Sequence, residues 1–513
     1  MKTSRILFAV LATALIGCSS WGENLVDGFR TPPPGYGEVP FWWWNGARLD
    51  KARFLWQLDE LHRAGISGVQ INYCHLITGP WDEVPGDPDI FTDAWWDAFS
   101  FVAVECAKRN MGVGVSDYAL AFPGRENLYK RLKICTPETY SQHLVFQKDG
   151  KVVPVVRPGT LDPMNAETAR RLIERFFDPF LAHTPPEAHK ALNYFFQDEL
   201  ILTDHQRIWT ANFADEFKKR KGYDIVPKLR GLFTDIGPDT YKVRLDFNDV
   251  QVALTEERYF KPLYEWHAKR GLIYGCDHAS RGKNPMQFGD YMRTTRWYTA
   301  PGFDTPGSGP DPVKCKVGSS ISHLYHRPRV WLEGYHSQGW QASTETIFAA
   351  TVRNYVYGAN LFNLHGLYYT TEGGWWEWAP PCYHFRQPYW KLMPHTFKYF
   401  ERLSWMLTRG VHVCDVAIVM PQEMMVVNSF VGTKSTALSH AFIRKLAVEG
   451  SCDCDVIDSD SLAAATIGRT EGAVTLDVAG DCSVTARGRL ADGTAISFTA
   501  RANDEGDALA IPV

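Results

Sequence analysis

Two carboxylates at the ends of apolar, β-prone runs are the residues best placed to do chemistry in this chain. Glu333 follows Arg329-Val330-Trp331-Leu332 and precedes Gly334-Tyr335-His336. Glu199 closes Ala191-Leu192-Asn193-Tyr194-Phe195-Phe196-Gln197-Asp198 in the same manner. A carboxylate where a buried strand meets solvent is desolvated on one side and reachable on the other, which suits acid, base or nucleophile duty. Cleaving a glycosidic acetal takes two such groups, one to protonate the leaving oxygen and one to activate water or attack the sugar. Asp198 competes with Glu199, because alternation along a strand sends only one of two neighbours into an opening.

Other polar residues fall at comparable places. Asn45, Asp117, His278, Arg281, Asp290, Tyr335, His336 and His365 are expected to line the opening and hold sugar hydroxyls or leaving-group charge. The run Trp42-Trp43-Trp44 and the Gly-rich segment holding Trp375, Trp376 and Trp378 offer aromatic faces for stacking on sugar C–H surfaces. From them Trp44 and Trp376 are taken as substrate-binding. Each of these residue types also serves to pack a core or brace a loop. Zincin or zinc-ribbon spacing and EF-hand-like loops do not occur, although acidic strand ends could hold Ca²⁺ through oxygen.

Positioning these residues requires a repeating scaffold, and strands and helices alternate through most of the chain. Expected strands are Val39–Asn45, Val69–Tyr73, Gly112–Tyr118, Ala191–Phe196, Leu272–His278, a stretch around Arg296 to Phe303, Arg329–Leu332 and Asn360–His365. Expected helices include Asp50–Ala64, Thr92–Asn110 with Thr92 as N-cap, Ala166–Ala182, Ile208–Lys221, Val243–Arg270, Val313–His326, Thr344–Tyr357 and Tyr389–Leu407. A hairpin is expected around Leu144 to Val156. Eight such units predict an α/β fold, a (β/α)8 TIM barrel over 37–410. A barrel is preferred to an open doubly wound sheet because polar residues recur at the strand C-termini: Asn45, Asn72, Asp117, Glu199, Asp277, Glu333 and His365. Residues 411–465 look like a partial flavodoxin-like α/β segment, and 466–513 like a short β-rich tail.

The 513 residues are 45% hydrophobic, enough for a large core, and 13% aromatic with 18 Trp. A net charge of −4 with no basic run argues against a nucleic-acid partner. Lys2 and Arg5 precede an apolar run, Ile6 to Ile16, and then Gly17-Cys18. This reads as a cleaved signal over 1–18 and resembles the bacterial lipobox, which implies lipidation of Cys18 and a place in the cell envelope. Ser19 and Ser20 then imply sorting to the outer membrane, with 19–36 as a tether. The remaining cysteines are scattered, without a dense disulfide framework.

The segments PFWWWNG, HRAGISGVQINY, FTDAWWDAF, AKRNMGVGVSDY, FFQDEL, FADEFKKRKGYD, WLEGYHSQGW and YGANLFNLHGLYYTT resemble the α-L-rhamnosidases of glycoside hydrolase family 106 over roughly residues 36 to 460. The resemblance implies a (β/α)8 barrel with β-rich accessory domains and an inverting, secreted or surface enzyme of plant-polysaccharide breakdown. It implies Ca²⁺ near the active site, Glu199 as general acid and Glu333 as the base that activates water. Family members are usually much longer. The residues themselves leave two alternatives open: a retaining, β-galactosidase-like glycosidase, and a non-catalytic glycan-binding surface lipoprotein.

Overall fold

The structure, a computed structural model, describes residues 25–501 apart from 74–75, 78–82, 85, 122–127, 201, 203–206, 279, 307–308, 372–382, 415, 421, 429–432, 450–451, 465–472, 479–482 and 490–494. Trp375, Trp376, Trp378 and Cys18 lie outside the described residues.

Eight parallel strands form the framework: β1 (Phe41–Trp44), β2 (Gly68–Tyr73), β3 (Gly112–Ser116), β4 (Leu192–Asp198), β5 (Ile273–Asp277), β6 (Gly302–Pro306), β7 (Trp331–His336) and β8 (Leu361–Leu364). β1 to β5 pair in order, as do β6 to β8. A parallel bridge from Gly275 to Ala300 joins the two ladders on one side. On the other, Val39 donates to the Phe362 carbonyl at 3.0 Å, and Leu367–Tyr368 pairs with Trp42 and Trp43. The ring is therefore closed, as in a TIM barrel. β6 begins six residues later than the sequence suggests, because Arg296 to Pro301 forms the turn after the helix Tyr291–Thr295.

Alternation along each strand sorts side chains into two layers. Phe41, Trp43, Tyr194, Phe196, Trp331 and Leu361 fill the barrel interior, with Trp331 stacked on Phe196 at 4.7 Å. Gly114 and Gly275 make room for this plug: a Cβ would stand 2.0 Å from the Tyr194 ring and 2.4 Å from the Trp331 ring. Trp42, Trp44, Val69, Ile71, Val113, Val115, Phe195, Tyr274, Phe303 and Leu332 face outward into the helix layer. Each ring buried this way contributes roughly 2–3 kcal/mol.

The helices fall near their expected places: Lys51–Arg63, Asp93–Lys108 capped by Thr92, Pro312–Leu324, Thr344–Val356 and Met393–Leu407. Those at 166–182 and 240–268 run continuously through π turns at Ile173–Phe177 and Glu256–Phe260. The expected hairpin forms from Tyr140–Phe146 and Val152–Leu161. Ile208–Trp209 adds a third strand to it, so the helix expected from Ile208 begins only at Phe213. Within the expected tether, Leu25–Arg30 is a helix, and a Cβ on its Gly28 would meet the Trp405 ring at 2.1 Å.

After the barrel, Val416–Val419 and Cys454–Ile457 pair in parallel. Ile418, Met420, Ile443 and Val456 pack on Val313, Val317 and Ile321 of helix Pro312–Leu324. This is one βαβ-type unit leaning on the barrel, short of a flavodoxin-like sheet. The tail strands Ala473–Val478, Ser483–Arg489 and Ala495–Arg501 form an antiparallel sheet. Among the described residues seven cysteines are free, with Cys106, Cys135, Cys276, Cys315 and Cys454 buried. No described helix is long and apolar enough to cross a membrane.

Candidate active site

The inward phase that places Trp331, Phe196 and Gly275 in the interior places Glu333, Asp198 and Asp277 two residues further along, at the C-terminal mouth. One carboxylate oxygen from each lies within 4.8 Å of the other two. Asp304 of β6 joins them, with Lys314 Nζ at 2.6 Å, Arg281 Nε at 2.7 Å and His336 Nε2 at 3.0 Å. Arg281 is the hub: its guanidinium also pairs with Glu199 and lies 3.8 Å from Asp277. Five carboxylates thus share one opening with two permanent cations.

The electrostatics follow from that imbalance. Burial, then the charges of Asp198, Asp277 and Asp304, pushes the Glu333 carboxyl well above its ordinary range. Burial, then Asp277 and Glu199, does the same to Asp198. Asp277 is raised to about 8 by burial, with Arg281 opposing. Burial would raise Asp304 too, but His336, Arg281 and Lys314 together hold it well below the usual carboxylate range. Protons and negative charge are therefore separated across a few ångströms, the condition for acid–base work at neutral pH.

Asp198 and Glu199 both reach this cluster, against the expectation that alternation would choose one. Glu199 has a φ of +43°, a left-handed conformation that breaks the strand phase. Its backbone N–H donates to Asp277 Oδ1 at 2.9 Å, and its side chain, 40% exposed, turns to Arg281. Such backbone in a non-glycine residue concentrates at working sites. A second break occurs in β7: the β6 register jumps from Gly334 to His336, leaving Tyr335 as a bulge with φ +73°. The bulge aims His336 at Asp304 and sends Tyr335 outward.

Several expected sugar contacts are accordingly corrected. Tyr335 is buried in the helix layer, its hydroxyl bonded to Thr351 and its ring edge-on to Tyr383. Trp44 is fully buried against Phe54 and Trp95 on the outer face of β1, and Trp43 is the run's inward member, beside Tyr118 and His365. His278 is fully buried among Phe260, Phe288, Tyr291 and Tyr298, and burial lowers its imidazole to about 3. Asp290 caps helix Tyr291–Thr295 through the Arg293 N–H at 3.0 Å and accepts from Gln422 at 3.0 Å. Asp117 accepts from the Asp198 N–H and from Gln197, both at 2.9 Å, so it positions β4.

Arg281 and His336 both contact Asp304 at the mouth. His365 lies 5.5 Å from the Trp43 ring and 6.4 Å from His336, whereas Asn45, expected to hold sugar, is fully buried and donates to the Thr370 carbonyl at 3.0 Å. The sequence reading missed Asp304 and Lys314. A strand placed on Gly302–Pro306 would have given Asp304 the phase of Glu333, its partner in register.

A sequence profile of glycoside hydrolase family 106, described as alpha-L-rhamnosidase, matches residues 157–444, more than half of the chain. That span includes Asp198, Glu199, Asp277, Arg281, Asp304, Lys314 and Glu333. A protein of Formosa agariphila, provisionally named a beta-glucuronidase, is 25% identical over 81% of this chain and 45% of its own length. The chain thus spans less than half of that relative. The rhamnosidase from Novosphingobium sp. PP1Y has a similar fold, with a TM-score of 0.62 and 12% identity over 88% of this chain and 66% of that one.

Proposed function

The chain belongs to glycoside hydrolase family 106, the α-L-rhamnosidase family, and from that premise we propose that it removes terminal α-L-rhamnosyl or closely related residues from plant-type polysaccharides or glycoconjugates. The observation that carries this reading is the meeting of Glu199 and Glu333 at one barrel mouth around Arg281. In the inverting scheme Glu199 gives its proton to the leaving oxygen as the C1–O bond breaks. A water on the opposite face bonds to C1 as Glu333 takes its proton. Arg281 orients Glu199, and His336 with His365 borders the sugar.

Asp198, Asp277 and Glu333 fit a Ca²⁺ ion, since all three offer hard oxygen donors and the buried Glu333 Oε2 lacks a hydrogen-bond partner. When bound, Ca²⁺ would supply positive charge that keeps Glu333 ionised, as a base or a nucleophile must be, and would give sugar hydroxyls a place to bind.

One observation favours a second reading. Inverting pairs stand about 6.5–9.5 Å apart and retaining pairs about 5–5.5 Å. The nearest Asp198 and Glu333 oxygens lie within 4.8 Å. That bound lies below the inverting range and on the retaining side, with Asp198 as acid and Glu333 as nucleophile. Time-resolved proton NMR of an aryl α-L-rhamnoside, with calcium present and residues 1–18 removed, separates the two. β-Rhamnose appearing first supports the Glu199/Glu333 inverting pair, and α-rhamnose first supports Asp198/Glu333. No turnover with this sugar or its relatives would sink both. We also propose envelope anchoring through Cys18, tested by radiolabelled palmitate incorporation that Cys18→Ala abolishes.

A further inference from the structure

A second set of donors gathers on the outside of the barrel, where the C-terminal βαβ unit docks on helix Pro312–Leu324. His323 comes from the last turn of that helix, His412 from the link after the barrel, and Asp453 and Asp455 from the start of strand Cys454–Ile457. One donor atom from each of His323, His412 and Asp455 lies within 4.8 Å of the other two. His323 Nδ1 is 2.9 Å from Asp455 Oδ1. His412 Nε2 is 3.2 Å from Asp453 Oδ2 and 3.7 Å from Asp455 Oδ2. A tetrahedral ion with bonds of about 2.0–2.1 Å has ligand–ligand edges of roughly 3.3–3.4 Å. The observed gaps bracket that edge.

The surroundings favour ligation over simple ion pairing. The two imidazoles are stacked, with centroids 3.8 Å apart and planes at 15°. Each ring nitrogen is a possible metal donor, and the stack holds the two rings side by side. Lys316 Nζ, 2.6 Å from Asp453 Oδ1, balances that carboxylate while leaving its other oxygen towards His412. Ser320 Oγ donates to Asp455 Oδ1 at 3.0 Å, the oxygen that His323 also faces, and so fixes the carboxylate. Both histidines are partly exposed, so an ion can enter.

We infer that His323, His412 and Asp455, with Asp453 or a water in the fourth place, form a structural site for a zinc-class divalent ion that ties the C-terminal unit to the barrel. Two imidazole nitrogens select such an ion over Ca²⁺. The site is separate from the ion-binding cluster at the mouth, where Asp198, Asp277 and Glu333 offer only carboxylate oxygens. The three segments it joins are far apart in sequence, so a bound ion would cross-link the barrel wall, the link and the last strand of the unit.

The test uses the full-length protein, stripped with chelator and held in saturating CaCl₂ so that the mouth is occupied. CoCl₂ is titrated while visible d–d absorption is followed, and ZnCl₂ is then added in competition. The expected result is one equivalent of tetrahedral Co²⁺, displaced by Zn²⁺, with a higher melting temperature in the metal-bound form. His412→Ala and His323→Ala should each weaken binding by at least about 100-fold, and Ser320→Ala by about 10-fold. Glu333→Gln should leave it unchanged. Absent Co²⁺ absorption at stoichiometric metal would overturn the inference, as would binding that survives His412→Ala in a variant with native circular dichroism.

Discussion

At the residue scale the mouth depends on unequal sharing of protons. Glu333→Gln is expected to lower kcat by about 10³-fold, in the range for loss of a positioned acid or base, with KM changed far less. Single-turnover kinetics on an activated rhamnoside would check this, and a KM effect alone would remove Glu333 from the chemistry. The buried carboxyls also make stability depend on pH. Asp277 is raised to about 8 and Asp117 and Asp290 to about 7, in each case by burial first. Folding then takes up protons above the unfolded carboxyl pKa, so these groups cost stability as pH rises towards their folded values. His267 and His278, lowered to about 3 by burial, act oppositely, but their contribution is complete above about pH 6.5. Between pH 6.5 and 8 the carboxyls are left in control. Chelated protein should lose up to about 1.4 kcal/mol per raised carboxyl per pH unit there, and Asp277→Asn should flatten the slope. Thermal melts across that window read both effects, and a rising melting temperature would refute the burial argument.

At the level of elements, the pattern of polar strand ends was legible in the sequence, but the phase at the last residues was not. Glu333 and Asp277 could be read as polar strand ends because β7 and β5 are regular up to those positions, whereas Arg281 reaches the cluster from the turn beyond β5. Asp198 and Glu199 could not be separated, because the left-handed backbone at Glu199 lets both reach the cluster. Tyr335 was misplaced for a related reason, since a bulge is invisible to a period-two reading. Trp44 failed through the opposite phase choice in a run of three identical residues, which carries no alternation of its own. β6 was shifted because Arg296 to Pro301 is rich in β-prone residues that serve a turn. The plug beneath the mouth makes a further prediction. Gly275→Ala puts a methyl into the Trp331 ring and should cost about 1–3 kcal/mol in urea unfolding. Gly150→Ala meets no neighbouring atom, so its cost is only the backbone strain of a φ of +83°, about 1–2 kcal/mol.

For the whole molecule, the barrel is recognisable because eight βα units repeat a strong pattern, whereas the region after residue 410 has too few elements to define a fold from composition. Its βαβ-type unit is instead defined by what it covers. Removing residues 411–513 would expose Val313, Val317 and Ile321, which Ile418, Met420 and Val456 now shield. Such a truncated protein should lose soluble yield and melt several degrees lower, as measured by light scattering and differential scanning fluorimetry. Retention of full solubility would mean that the apolar contact is dispensable.

The buried free thiols give the fold a built-in record of its own opening. Cys276 sits in β5, Cys106 in helix Asp93–Lys108 and Cys315 in helix Pro312–Leu324. None of the three side chains is accessible while its wall is closed. An alkylating reagent can therefore reach each sulfur only when that part of the wall parts. Mass spectrometry of the alkylated peptides over time would rank the walls by how often they breathe. Helix Pro312–Leu324, clamped between the barrel and the C-terminal unit, should come last.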